Sequence, residues 1–86
     1  MPEISRFYGI TVYIYFNDHA PPHFHAVYGG QEAVFGIEDA AILNGRLPAR
    51  AEKLIKEWAA LRKTELRAAW NCAGQLRAPG KIRPLE

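Results

Sequence analysis

The chain of 86 residues is long enough for one domain and too short for two, so we expect a single domain over residues 1–86. Its 49% hydrophobic and 23% charged residues are typical of a folded globule and exclude a disordered or fibrous chain. The single cysteine, Cys72, excludes an intramolecular disulfide and favours the reducing cytoplasm. Neither a signal peptide nor an apolar run of membrane-spanning length is visible, so we expect a soluble, cytoplasmic protein that does not contact membranes.

The net charge of +2 conceals an uneven distribution along the chain. Residues 1–45 contain one basic and five acidic side chains, whereas residues 46–86 contain ten basic and four acidic side chains. This pattern indicates either a basic surface that faces an acidic partner or phosphates, or a solvated helix surface followed by a basic tail.

The first half of the chain has the pattern of an antiparallel meander. Alternating apolar residues, β-branched and aromatic residues, and turn residues predict its elements in order. They are an extended lead-in over residues 1–9, strands over 10–16, 23–28 and 31–37, a loop over 17–22 and a hairpin turn at Gly29-Gly30.

The hairpin turn also predicts which side chains share a face of the sheet. A Gly-Gly turn pairs Phe24 with Phe35, and symmetric closure of the first loop places Phe16 near Phe24. The same register places Tyr15 near His25. The core face then carries Ile10, Val12, Ile14, Phe16, Phe24, Ala26, Tyr28, Ala33, Phe35 and Ile37. The opposite face, open to solvent or used for binding, carries Thr11, Tyr13, Tyr15, His23, His25, Val27, Glu32, Val34 and Gly36.

The second half of the chain predicts helices. Ile42-Leu43 is compatible with a short fourth strand and Asn44-Gly45 with a turn. Pro48 suits the first position of a helix with apolar residues at Ala51, Leu54, Ile55, Trp58 and Leu61. A second apolar stripe comprises Leu66, Ala69, Trp70 and Ala73.

The two apolar stripes are out of phase, which predicts a kink or a new helix near Lys63-Thr64. Gly74 fits the end of the second stripe, and residues 76–86 are expected to form an extended or mobile tail. The fold class is therefore α+β: an antiparallel meander of three or four strands packed on one face by one or two C-terminal helices.

All three histidines of the chain lie within residues 17–25, which makes this stretch the candidate functional centre. His23 and His25 alternate on one strand face with Cα atoms about 7 Å apart, close enough for both rings to reach one divalent metal ion such as zinc. His19 or Asp18 could supply a third ligand and leave one position open for water. Alternatively, Asp18 and His19 cap the turn while His23 and His25 lie half exposed beside Tyr15.

The same sheet face permits a second use. Tyr13, Tyr15 and His25 could stack on unpaired bases while basic side chains hold the phosphates, which predicts nucleic-acid binding. In a nuclease, Arg6 or Lys53 would lie near the substrate phosphate. The candidate binding residues are Tyr13, Tyr15, Asp18, His19, His23, His25 and Arg6, and the candidate metal ligands are His19, His23, His25 and Asp18.

Several stretches resemble a known family of small bacterial proteins, the domain of unknown function 4160 family. They are residues 4–10, 15–26, 28–29, 47–48 and 57–58, and the central Asn17-Asp18-His19-Ala20-Pro21-Pro22-His23-Phe24-His25 motif is intact. The resemblance implies a small protein partner of the domain of unknown function 2442 type, in a toxin–antitoxin-like or regulatory module. We therefore expect a component of a two-protein module that binds protein or nucleic acid. The alternative is a metal-dependent hydrolase or nuclease toxin that uses the histidine cluster.

Overall fold

The computed structural model describes residues 2–86, which form a five-stranded antiparallel sheet followed by two helices. The elements are β1 (Glu3–Phe7), β2 (Ile10–Tyr13), β3 (His23–Tyr28), β4 (Gln31–Gly36), β5 (Ile42–Gly45), α1 (Ala49–Leu61) and α2 (Lys63–Gly74). The strands lie side by side in chain order, so the predicted α+β meander is confirmed with one strand more than expected.

The additional strand is β1, in the segment predicted only as an extended lead-in. It pairs with β2 through a tight turn at Tyr8-Gly9, where both residues have positive φ, 49° and 80°. Such turns match the twist of a hairpin, but they usually contain Asn, Asp or Gly at the first position. Because tyrosine occupies that position, the sequence carries no clear hairpin signal. Ile4 and Phe7 are buried in the core.

Strand β2 is shorter than predicted and ends at Tyr13 rather than Phe16. Its register pairs Tyr13 with His25, so the symmetric closure of the loop was wrong by two residues. Tyr15 nevertheless lies near His25 as predicted, with ring centroids 4.2 Å apart. A shift of two residues preserves the faces, because side chains alternate with a period of two. Phe16, which was predicted in the core, is 44% exposed, since the chain leaves the sheet beyond β2.

The β3–β4 hairpin has the predicted register. Tyr28 pairs with Gln31 across Gly29-Gly30, and Phe24 pairs with Phe35. The rings of Phe24 and Phe35 stack with their centroids 5.4 Å apart. Phe24 is fully buried, so the core side of β3 is defined and its neighbours His23 and His25 point to the other side of the sheet.

Strand β5 forms at the predicted Ile42-Leu43 position and extends through Asn44-Gly45. Gly45 has φ +78° and its Cα lies against the backbone of Glu32 and Ala33. A side chain at this position would collide with the Glu32 carbonyl, which explains why the end of β5 requires glycine.

Gly45→Ala is therefore expected to destabilise the protein by about 1–3 kcal/mol, because it adds both a steric collision and an unfavourable backbone conformation. Gly30→Ala is the matched control, since a Cβ there meets nothing within 4 Å. Urea denaturation of both variants measures the effect. Equal losses of stability would contradict the role assigned to Gly45.

The helices cover the core face of the sheet through Trp58 of α1. Its ring contacts Phe7 and Phe24, with centroid distances of 5.3 and 5.7 Å. The predicted break between the helices occurs at Arg62, and α2 ends at Gly74 as expected. Leu61, predicted in the apolar stripe, is 60% exposed because it lies in the last turn before this break.

The C-terminal segment after α2 contains no helix or strand, yet it packs against the body of the protein. The Ile82 N–H donates to the Ile4 carbonyl at 2.6 Å, and the indole N–H of Trp58 donates to the Arg83 carbonyl at 2.9 Å. Ile82 and Leu85 are part of the core. The segment predicted to be extended or mobile thus lies beside β1. Within residues 2–86, no helix is long and apolar enough to cross a membrane.

Candidate metal centre

The histidine cluster lies where the long loop after β2 enters β3. The loop is tethered at both ends: the Asn17 N–H donates to the Ala73 carbonyl at the end of α2, and the Ile37 N–H donates to the Pro22 carbonyl. His23 and His25 follow on β3 with Phe24 between them in the core. This arrangement holds the loop carboxylate of Asp18 over the strand face that carries both imidazole rings.

The side chains of Asp18, His23 and His25 converge on one point. Asp18 Oδ2 lies 2.8 Å from His23 Nε2 and 3.5 Å from His25 Nε2. One ligand atom from each of the three residues lies within 4.8 Å of the other two. All three are largely buried, with side-chain exposures of 17%, 4% and 13%.

The outer nitrogen of each ring faces an oxygen that can only accept a hydrogen bond. His23 Nδ1 lies 2.7 Å from the Pro21 carbonyl oxygen, and His25 Nδ1 lies 3.1 Å from Glu32 Oε2. Each Nδ1 therefore carries the proton. In the neutral rings both Nε2 lone pairs then point toward Asp18 Oδ2, and three acceptors facing one another require a proton or a metal cation between them.

The surroundings shift the pKa of two groups at this site. Burial raises the pKa of Asp18, but the hydrogen bond from the His19 N–H and, when a proton lies on Nε2, those from the rings of His23 and His25 outweigh burial and lower it to about 2. Asp18 is thus a carboxylate at neutral pH. Burial, followed by the charge of Glu32, raises the pKa of Tyr15, so its phenol keeps its proton.

The lowered pKa of Asp18 predicts an acid-sensitive contribution to the stability of the metal-free protein. A pKa of about 2 in the folded state, against 3.8 ordinarily, stabilises the fold above pH 4, and this contribution disappears as the pH falls toward 2. Between pH 6 and pH 2, the free energy of unfolding of Asp18→Asn should therefore fall by about 1–2 kcal/mol less than that of the wild type. Urea midpoints between pH 2 and 6 measure the difference; parallel curves for the two proteins would contradict it.

The cluster lines a groove of about 500 Å³. The groove is lined by Tyr15, Asp18, His19, Pro21, His23, His25, Val34, Leu43 and Asn44. Five of the predicted site residues are therefore brought together here. Tyr13 and Arg6 are not among the lining residues: Tyr13 lies on β2, and Arg6 lies on β1, where it forms an ion pair with Glu3 at 2.8 Å.

Two histidines differ from the sequence interpretation. His23 was predicted on an open face, but it is buried because Trp70 of α2 lies over it, with a centroid distance of 5.0 Å. His19 is 84% exposed and lies outside the cluster of three; its Nδ1 is 2.9 Å from Asp18 Oδ1, the oxygen that faces away from the other two rings.

The sequence did not identify the residues that contact the histidines on the side away from Asp18. Glu32 was placed on the correct face but was not identified as the partner of His25, although the hairpin register already put it two positions along from Val34, which pairs with His25. The sequence contains no signal that Trp70 covers His23, because this contact depends on how α2 crosses the sheet.

Comparison with known proteins places this arrangement in a family. A family model described as a domain of unknown function (DUF4160) matches residues 9–71. The chain belongs to this family. The part matched by the DUF4160 model contains the Asp18, His23 and His25 cluster, strands β2 to β5, α1 and most of α2. No curated protein and no solved structure matches the chain significantly.

The chemistry open to the DUF4160 cluster follows from its donor atoms. Two imidazole nitrogens and one carboxylate oxygen form the ligand set of catalytic zinc sites that leave a position for water, and a related set holds Fe(II) in oxygenases. Both histidines donate from Nδ1 to an oxygen, as metal-binding histidines do. The open groove would give a small molecule access to the remaining positions.

Proposed function

We propose that Asp18, His23 and His25 bind one divalent cation, with zinc as the preferred ion. We further propose that the protein is a metal-dependent hydrolase. The observation that carries this proposal is the orientation of the two rings. Hydrogen bonds to Pro21 and Glu32 direct both Nε2 atoms toward Asp18 Oδ2. A structural cap for the loop would need one such ring, not two.

The spacing of the ligand atoms supports a single-ion site. Zinc bonds of about 2.1 Å in a tetrahedron place neighbouring ligand atoms about 3.4 Å apart. The two distances from Asp18 Oδ2, 2.8 and 3.5 Å, lie on either side of this value, and the shorter one, a hydrogen-bond distance, would lengthen by about 0.6 Å around an ion. A bound zinc ion would lower the pKa of a coordinated water and supply hydroxide at neutral pH.

His19 is the proposed proton carrier at this site. Its Nδ1 lies 2.9 Å from Asp18 Oδ1, which keeps the ring beside the carboxylate, and either nitrogen of the neutral imidazole can be the proton acceptor. Because the ring lines the groove and is exposed, it can take a proton from water and return it to a leaving group.

Metal titration of chelator-treated protein tests the proposal. Calorimetry with zinc, manganese, nickel and Fe(II) is expected to show one ion per chain, bound most tightly for zinc. His19→Ala should bind zinc as the wild type does, whereas His25→Ala should not. Failure to bind any of the four ions stoichiometrically would overturn the proposal, and equal losses in the two variants would make His19 a ligand.

A second candidate function is binding of a small protein partner, as the resemblance to the family implies. The favouring observation is the sheet edge: the C-terminal segment lies against β1, but among residues 2–86 no strand pairs with the outer side of β5. An exposed strand edge is a template for a strand from another chain. The partner would be of the domain of unknown function 2442 type, in a toxin–antitoxin-like or regulatory module.

Co-expression with such a partner, followed by size-exclusion chromatography with light scattering, tests this second function. Leu43→Lys on β5 is expected to abolish a complex, since lysine on an edge strand opposes pairing. Leu61→Lys is the control, because Leu61 is also exposed but lies on α1. A monomeric chain in the presence of the partner would exclude this function.

A further inference from the structure

We propose that the groove accepts neutral carbonyl compounds with an apolar arm, that is esters or amides, and not phosphodiesters or nucleic acid. This inference rests on the proposed metal site and names its substrate class. It follows from the side chains that line the groove beyond the ligands, and from the charges that are present there.

The wall beside the metal ligands is apolar. Val34 pairs with His25 across the β3–β4 ladder, so it lies directly next to the ligand on the same face of the sheet. Leu43 on β5 continues this wall, and Pro21 and Tyr15 line the groove from the loop. Leu43 is 49% exposed, which leaves its side chain available to contact an aliphatic or aromatic substituent.

Asn44 adds a polar group suited to a carbonyl. It lines the groove next to Leu43, and its Oδ1 accepts a hydrogen bond from the Gly45 N–H at 2.8 Å. This bond fixes the orientation of the amide and leaves its NH2 group as the donor. An amide donor stabilises the oxygen of a polarised carbonyl without requiring the substrate to be charged.

The charges of the groove oppose an anionic substrate. None of its lining residues in the described part of the chain is lysine or arginine, and Glu32 places a second carboxylate behind His25. The two positive charges of a divalent cation would therefore only neutralise the negative charges of Asp18 and Glu32. Phosphoryl transfer depends on further positive charge around the phosphate, from cations, arginines or a second metal. The predicted phosphate ligands Arg6 and Lys53 do not line the groove.

The reaction needs no reagent other than water. Water adds to the carbonyl carbon, and the bond between that carbon and the leaving oxygen or nitrogen breaks. The His19 imidazole takes the proton released by the water and transfers it to the leaving group. An ester thus gives an acid and an alcohol, and an amide gives an acid and an amine.

The test compares three chromogenic compounds with the same leaving group on zinc-loaded protein: p-nitrophenyl acetate, p-nitrophenyl hexanoate and bis(p-nitrophenyl) phosphate. All rates are divided by those of an equal concentration of zinc in buffer. The kcat/KM for the hexanoate is expected to exceed that for the acetate about tenfold, because the longer chain buries additional methylene groups. The phosphodiester is expected to show no acceleration.

Leu43→Asn should reduce the hexanoate preference to below about threefold without changing zinc affinity, since it replaces apolar with polar surface in the wall. Leu76→Asn is the matched control, because Leu76 is 69% exposed and is not a lining residue of the groove. Acceleration of the phosphodiester alone would overturn the substrate class while the metal site stands. Protein that binds no zinc would overturn the proposed function, and this inference with it.

If zinc binds but no ester is hydrolysed, the affinities of acetohydroxamic and hexanohydroxamic acid for the zinc-loaded protein test whether the apolar wall is a substrate site. Both compounds coordinate zinc through the same group and differ only in the aliphatic chain. Tighter binding of the longer compound, lost in Leu43→Asn, would support the apolar wall as a substrate site. Equal affinities would overturn the inference.

Discussion

Asp18→Asn is expected to weaken zinc binding by more than about 100-fold while the chain stays folded. The substitution replaces a carboxylate with a neutral amide, so the site loses both a ligand and the negative charge that attracts the cation. Loss of an outer-shell partner alone typically lowers metal affinity 10- to 100-fold, and loss of a direct ligand costs more. Competition with a zinc-binding dye measures the affinity.

The fold should survive this substitution because asparagine can still form hydrogen bonds to both neighbours in the metal-free site. Its NH2 group can donate to Nε2 of a neutral His23, where Asp18 accepts at 2.8 Å, and its oxygen can still accept from the His19 N–H, as Asp18 does at 2.9 Å. Circular dichroism and thermal unfolding at neutral pH check this expectation.

Two further carboxylate substitutions calibrate the result. Glu32→Gln should lower zinc affinity 10- to 100-fold, because Glu32 touches only the outer nitrogen of His25. Glu38→Gln should leave the affinity unchanged, since Glu38 is exposed and paired with Arg67. Wild-type zinc affinity in Asp18→Asn would show that Asp18 is not a ligand and would leave the two histidines as an incomplete site.

Trp58→Ala is expected to lower the free energy of unfolding by about 3–5 kcal/mol. Trp58 is the largest fully buried side chain, and its ring joins α1 to β1 and β3 through Phe7 and Phe24. Its indole N–H also holds the C-terminal segment at Arg83. A small domain has only about 5–15 kcal/mol of stability, so this variant should lie near the edge of folding.

Urea denaturation followed by circular dichroism measures the effect, with Trp58→Phe as the graded control. Phenylalanine keeps most of the aromatic contact but loses the hydrogen bond to Arg83, which should cost about 1–2 kcal/mol. Trp70→Phe serves as the second comparison, because Trp70 is only partly buried and packs over His23 as well as against the core. A loss below about 1 kcal/mol in Trp58→Ala would contradict the central packing role.

Local patterns in the sequence were enough to predict the sheet faces around the site. Gly29-Gly30 sets the β3–β4 register, and the period of two places His23 and His25 together opposite Phe24, as observed. The helix break near Lys63 was also visible, because the spacing between Leu61 and Leu66 interrupts the apolar stripe. These features depend on residues close in the chain, where backbone geometry alone relates one side chain to the next.

Only the tertiary structure decided which groups complete the site. Asp18, and not the exposed His19, joins the two histidines because the loop is held between Ala73 of α2 and Ile37. Likewise, the burial of His23 under Trp70 depends on how a helix far along the chain packs on the sheet. The sequence by itself thus determined that two imidazoles share one face. Long-range packing, which no local period encodes, decided that they converge on a carboxylate beside the apolar wall of the groove.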